Sequence, residues 1–255
     1  MTNFARAVLC LPLVAACASH PTPSARDAAA HEPNPPCAGF DVTGSDARAC
    51  AIADQTMEAM GGRAAWDSTR VLCWNFFGRR SHVWDKATGN YRLEEGDRVV
   101  LMNLASGTGR VFDKGVELTD EAARQKALEH ARSIWINDSY WLVMPYKLKD
   151  SGLTLKWLRE SELDGGRKAD ILQLSFQGVG ETPDNRYEVY VARDTHLVER
   201  WDYFEHRADE KPKLSTPWTR WTRHGKILLA ESRGEKREMG NVQVLDTPPA
   251  SLHQP

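Results

Sequence analysis

From Leu153 to Asp246 the chain repeats one pattern: a short run rich in β-branched and aromatic residues, then a turn. The runs are LTLKWLRESEL, ADILQLSFQGVG, NRYEVYVARDT, HLVERWDYFEHR, PWTRWTRHG, KILLAESRGEK and NVQVLD, punctuated by Gly, Pro, Asp and Asn. Side chains alternate between the faces of a strand, and Arg186, Glu188 and Tyr190 alternate with Tyr187, Val189 and Val191, so one face is wet and the other dry. The tight turn at Asp194-Thr195 makes its flanking strands antiparallel neighbours. A chain built this way must fold around a large antiparallel sheet.

The first half adds strands and helices. RVLCWNFFG, from Arg70 to Gly78, sets Leu72, Trp74 and Phe76 against Val71, Cys73, Asn75 and Phe77. RSHVWDKATGNYRLEE reads as a hairpin turning at Thr88-Gly89-Asn90, and GRVFDKGVELT as another turning at Asp113-Lys114-Gly115. The unbroken apolar run Val99–Leu104 predicts a strand covered on both faces, by sheet interior on one side and helix on the other. Ser45 or Asp46 caps a first helix with Ala49, Ile52, Ala53, Thr56, Met57 and Met60 at helical spacing, ending at Gly61-Gly62. Its two methionines suit core packing better than a lipid cavity. Thr119 caps a second helix, with Asp120 and Glu121 in its first turn and Ala123, Ala127, Leu128, Ala131, Ile134 and Trp135 on one face. With about ten strands and two or three helices that interrupt the sheet, the expected fold is mainly β (α+β): a curved antiparallel sheet with helices on its concave side.

Motifs for chemistry are missing. There is no Gly-x-Ser-x-Gly elbow, P-loop, dinucleotide-binding glycine pattern, Cys-x-x-Cys or His-Glu-x-x-His in the sequence. The densest metal candidate, DYFEHRADE at Asp202–Glu210, is split by strand alternation, which sends Asp202 and Glu205 to opposite faces. His82 and Asp85 part in the same way, and His130 lies on the polar side of its helix. Metal ligands and cofactors are therefore not expected. The net charge of −2 and the lack of a basic, aromatic-interleaved stripe argue against a nucleic-acid partner. Nine tryptophans must pack a core, line a cavity, or both.

The stretch NDSYWLVMPYKLKD, Asn137 to Asp150, follows the second helix. Asn137-Asp138-Ser139 reads as the helix end or a break, Tyr140–Met144 as a buried middle, and Lys147 to Asp150 as a solvated exit into the sheet. Lys147 is either a contact at a cavity rim or a snorkelling lysine paired with Asp150. For Trp141, Met144 and Tyr146, core and cavity wall are equally good readings. The expected cavity lining is Leu72, Trp74, Phe76, Trp84, Leu101, Trp141, Met144, Tyr146, Trp201 and Tyr203, although strand parity does not say which face is concave.

The order helix, strands, helix, NDSYWLVMPYKLKD, then strands with GVGETPDNRYEVYV, resembles periplasmic lipoprotein-sorting-like domains of the group that includes the carrier LolA and the outer-membrane receptor LolB. The resemblance runs from about Asp54 to Glu205. It implies a half-open antiparallel β-barrel with helices forming a lid over an apolar cavity. It also implies binding of an acyl chain, such as a palmitate-type chain of a lipid or lipoprotein, without catalysis.

The N-terminus fits that setting. Arg6 and the short apolar run Ala7–Ala16, too short to span a bilayer, read as a signal peptide over residues 1–16. Val14-Ala15-Ala16 before Cys17 fits a lipobox with lipidation at Cys17; plain signal cleavage after Ala16 is the other reading. Residues 17–36 are a Pro/Ala-rich tether, spanning ~25 Å r.m.s. as a random coil. Acylation at ~0.8 kcal/mol per buried CH₂ would hold the chain on a membrane. By the sorting rule of enterobacteria, Ala18 directs such a lipoprotein to the outer membrane of a Gram-negative cell, its domain facing the periplasm. The domain, expected as a monomer, runs over residues 37–245, with a disordered tail at 246–255. A Cys37–Cys50 disulfide would staple its first turn, with Cys37–Cys73 as the other pairing. The competing functions are a structural or interaction lipoprotein of the envelope without a ligand cavity, and a hydrolase or metal enzyme.

Overall fold

The computed structural model describes residues 34–178, 184–234 and 236–255. The expected signal peptide, Cys17 and all of the tether before Asn34 lie outside the described residues.

Among the described residues, fourteen strands form three antiparallel sheets. In the largest, β1 (Val71–Phe76), β2 (Arg80–Asp85), β3 (Asn90–Glu95), β4 (Arg98–Asn103), β5 (Gly109–Asp113) and β6 (Val116–Glu117) follow in order, and β14 (Met239–Leu245) returns beside β1. The second holds β7 (Leu153–Glu162), β8 (Lys168–Phe176), β9 (Arg186–Ala192), β10 (Val198–Phe204) and β11 (Leu214–Pro217) as a meander. β12 (Thr219–His224) and β13 (Ile227–Ser232) form a hairpin between them. Only Trp218 separates β11 from β12, and Ser232 bridges to Glu238 just before β14. The hairpin therefore joins the two large sheets into one bent wall, and the register shifts in β1, β7 and β10 are bulges of the kind that bend strands. No strand pairing closes this wall into a barrel among the described residues.

The expected turns form where backbone chemistry demands them. Lys114 and Gly115 both adopt positive φ, 51° and 79°, which is the two-residue hairpin geometry predicted there.

Among the described residues, three α-helices serve the wall: α1 (Ala47–Ala59), α2 (Arg63–Ser68) and α3 (Glu121–Val143). Asp120, one residue beyond the expected Thr119, caps α3 by accepting from the Ala123 N–H at 2.8 Å. α3 does not stop at Asn137-Asp138-Ser139 but continues to Val143 and ends in a 3₁₀ turn, Met144–Lys147. Asp138 is responsible: it is fully buried and takes a bidentate pair from Arg80 of β2, at 2.7 and 3.0 Å. That long-range pair outweighs the weak helix propensity of Asn, Asp and Ser.

Neither expected cap of α1 caps it. The Ser45 hydroxyl accepts from the Leu155 N–H and the Asp46 carboxylate from the Trp157 N–H, each at 3.0 Å. These bonds, with those from the Asp41 and Asp46 N–H groups to Leu153 and Leu155 carbonyls, cover the outer edge of β7. The entering segment then lies along the chain that leaves α3. The Cys37 N–H donates to the Lys149 carbonyl, and Gly39 lies so close to Ser151 that a Cβ there would meet Oγ at 2.6 Å. Asn34 is buried, bonded to Asp54 and Lys149, so ordered structure begins before the expected boundary at Cys37.

Two further expectations are corrected. Cys37 and Cys73 are free thiols, so neither proposed disulfide of Cys37, to Cys50 or to Cys73, is formed; the Cys37 side chain instead faces Asp150. The tail expected to be disordered docks on the convex face of the large sheet. Its 3₁₀ turn, Ala250–His253, buries Leu252 to 2% exposure, and Arg92 donates to the Ser251 carbonyl at 3.1 Å and to that of Gln254. β4 is thus covered on both faces as expected, but by α3 and this tail.

Candidate ligand site

α3 crosses the concave side of the bent wall and divides the interior. Its Ala127, Leu128, Ala131 and Ile134 pack on Tyr91, Leu93, Val100, Met102 and Val111 of the large sheet. Its last turns, Leu142 and Val143 with Tyr146, join Leu72, Trp74, Phe76, Leu229 and Met239. The side of α3 that turns to the second sheet carries Tyr140 and Trp141, against Trp201, Tyr187 and Phe176.

A polar pin holds the helix in that place. Besides the Arg80 pair, Asp138 Oδ2 lies 3.1 Å from His82 Nε2, and His82 Nδ1 is 2.8 Å from the Tyr91 hydroxyl. The Nε2 contact is poorly aligned for a hydrogen bond, so Arg80 supplies the charged grip on Asp138 and His82 packs beside it. Trp74 stacks on the imidazole at 4.4 Å. Burial pushes the His82 imidazole below its usual range, Arg80 adds to this, and Asp138 only partly opposes it. Tyr91, His82 and Asp138 resemble a catalytic relay in composition, but all three are buried between α3, which carries Asp138, and the large sheet, where the arrangement positions the helix.

Where α3 meets the second sheet there is a cleft of about 240 Å³. Trp135, Ile136, Ser139 and Tyr140 of α3 form one wall, Leu153 of β7 and Phe176 of β8 the other, and Lys147, Asp150 and Ser151 the rim. Tyr140 sits in an aromatic box, its ring 5.9 Å from Tyr187 and Trp201 and 6.4 Å from Phe176. Trp135 packs edge-on to Trp84 at 5.2 Å. The walls contain donors without acceptors among the described residues: the Tyr140 hydroxyl and the Trp135 indole N–H are buried and unpartnered there, as is the indole N–H of neighbouring Trp201. Each such group costs about 1–3 kcal/mol when left unpaired. Lys147 and Asp150 form an ion pair at the rim. Burial pushes the Asp150 carboxyl up, but the Lys147 ammonium, the Ser151 N–H and the Cys37 thiol together hold it below the usual carboxylate range.

Of the residues expected from the sequence, Lys147 lies in the cleft itself, at the rim and paired with Asp150, so both readings of it describe part of its setting. Leu72, Trp74, Phe76, Met144, Tyr146 and Trp201 are buried on the concave side, where they pack on one another and on α3. Trp84, Trp141 and Tyr203 are half-buried there, Trp141 edge-on to Trp201 at 4.8 Å and Tyr203 against Tyr187 at 5.2 Å. Tyr146 donates its hydroxyl to the Leu228 carbonyl at 2.7 Å, which fixes it as a core residue. Leu101 faces the other way: it lies on the convex face under Leu252, because β4 turns Val100 and Met102 inward.

The sequence reading missed Trp135, Ile136, Ser139, Tyr140, Asp150, Ser151, Leu153 and Phe176. A signal for part of the set exists, since Trp135 with Ser139 and Ile136 with Tyr140 are i,i+4 pairs on adjoining rows of a helix that runs through Asn137–Ser139. The acidic cluster at Asp202–Glu210 disperses as alternation required. Asp202 is held by Arg200, Tyr190 and Ser215, Glu205 pairs with Lys213, and His206 with Asp184. Among the described residues no helix is long and apolar enough to cross a membrane.

No family model matches the sequence, and no curated protein matches it. Among solved structures, the chain is similar to a DUF1329 family protein from Desulfovibrio piger, with 15% identity, TM-score 0.39, and coverage of 77% of this chain and 92% of that one. It is also similar to a LolA superfamily protein from Nitrosomonas europaea, with 7% identity, TM-score 0.37, and coverage of 81% and 97%. A third similar structure is MucB in complex with MucA(peri), with 13% identity, TM-score 0.23, and coverage of 81% of this chain and 59% of that one.

Proposed function

We propose that this protein binds an acyl chain of a lipid or lipoprotein, without catalysis, as a carrier or receptor in the bacterial envelope. The observation that carries the proposal is the apolar cleft between α3 and the second sheet, whose walls hold unpaired buried donors. An aliphatic chain suits Ile136, Leu153 and Phe176, and a carbonyl oxygen at its head would satisfy Tyr140 or Trp135. The cleft is somewhat smaller than the ~300 Å³ at which sites for drug-sized ligands begin, so it accommodates part of one chain. A longer or branched lipid requires the Tyr140–Lys147 segment to move away from Trp201 and Phe176, and the residues packed behind it, Phe76, Trp141 and Trp201 among them, then become lining.

On this proposal Cys17 carries the lipid anchor, the residues after it are the tether, and the domain works in the periplasm at the outer membrane of a Gram-negative cell. The test is native mass spectrometry of the full chain expressed with export, followed by organic extraction. A bound acyl lipid that is lost in Trp141→Asp supports the proposal. A chain that is ligand-free after mild purification, and takes up no lipid from mixed micelles, contradicts it and favours the interaction-lipoprotein reading, which the close ring packing around Trp201 would suit.

A further inference from the structure

We infer that Asp150 screens what enters the cleft: it admits acyl chains with a neutral ester or amide head and turns away free carboxylates. The inference rests on the acyl-binding reading and adds the chemical class of the head.

The groups at and beneath the rim decide the matter. The cleft lining offers one cation, Lys147, and that cation is already paired with Asp150. Asp150 is also held by the Cys37 thiol and the Ser151 N–H, so it is fixed in place and remains ionised. The two charges lining the rim therefore cancel before any ligand arrives, and Arg63, a further cation beside Cys37, is itself paired with Asp67. An incoming carboxylate would have to share one ammonium with a carboxylate that cannot leave, and two like charges beside a single cation in a partly desolvated site repel each other.

The donors deeper in the wall are neutral. The Tyr140 hydroxyl and the Trp135 indole N–H have no acceptor among the described residues. They suit a carbonyl oxygen, which brings hydrogen-bond acceptance without a charge to bury. A neutral-headed chain thus gains both hydrogen bonds and apolar contact, whereas a free acid gains the contact and meets Asp150.

The test uses the full chain with Cys17→Ser, so that no protein-bound lipid competes, and follows quenching of tryptophan fluorescence by methyl decanoate and by decanoate at neutral pH. The inference predicts that the ester binds at least about tenfold more tightly. In Asp150→Asn, Lys147 is left without its partner, so decanoate binding tightens and the preference shrinks or reverses. Asp150→Glu retains the preference, which separates a charge effect from damage to the fold. Decanoate binding as tightly as the ester to the parent chain overturns the inference, and so does an Asp150→Asn variant that binds the ester as the parent does and keeps the full preference. If neither compound binds, the acyl-binding proposal fails and this inference fails with it; equal binding of both defeats the inference alone.

Discussion

Asp138 is the residue on which the position of α3 most depends. It is fully buried, and its partners Arg80 and His82 reach it from β2. Asp138→Ala leaves the Arg80 guanidinium without its countercharge, and a loss of about 3–5 kcal/mol is expected in urea unfolding. His82 gives the same pin a pH signature. Its folded-state pKa lies below the unfolded value near 6.5, so the unfolded chain binds the proton more readily. Stability from this group is complete above that value and falls as the pH drops below it. Melting curves between pH 7 and 5 should show the decline, and His82→Asn should flatten it. Tyr140 should behave in the opposite sense to Asp138. Its hydroxyl is buried without an acceptor among the described residues, so Tyr140→Phe should raise stability by about 1 kcal/mol while weakening ligand binding. Opposite signs for stability and affinity mark a group kept for a ligand.

At the scale of elements, the C-terminal turn makes a testable contribution. Leu252 is buried on the convex face and Arg92 holds the Ser251 carbonyl. Leu252→Asp should cost about 2–3 kcal/mol in denaturant unfolding, by removing a buried leucine and placing a carboxylate near Leu101. A truncation after Asp246 should cost a similar amount. No local pattern in TPPASLHQP announces this docking, because it depends on a groove between Leu101 and Arg110 and on Arg92, more than a hundred residues away. The hairpins were legible because their determinants are local: a glycine or a positive-φ pair at the turn and alternating residues beside it. The end of α3 was not legible, because Asn137-Asp138-Ser139 looks like a stop and becomes helix only when Arg80 arrives from β2. Leu101 was misplaced for a related reason. Alternation separates the two faces of β4, but only the packing of α3 decides which one is inside.

At the scale of the whole molecule, two antiparallel sheets joined through a hairpin wrap one long helix, and the apolar interior lies on either side of it. The mainly β architecture with helices on the concave side follows from the strand-turn repetition. The four-residue strand β11 is an extra piece, too short for periodicity to resolve. The cleft was largely hidden in the sequence, since its walls unite Trp135 and Tyr140 with Phe176 and Asp150 across three elements. If the cleft is the mouth of an acyl site, a chain entering it must touch both walls. The most direct test is photolabelling of the full Cys17→Ser chain with a methyl ester of a diazirine-bearing fatty acid, followed by peptide mapping. Labelling confined to the peptides holding Trp135–Ser151 and Lys168–Phe176, and removed by excess unlabelled ester, is the predicted result. Label spread over the convex faces, or label that excess ester does not displace, would contradict the account.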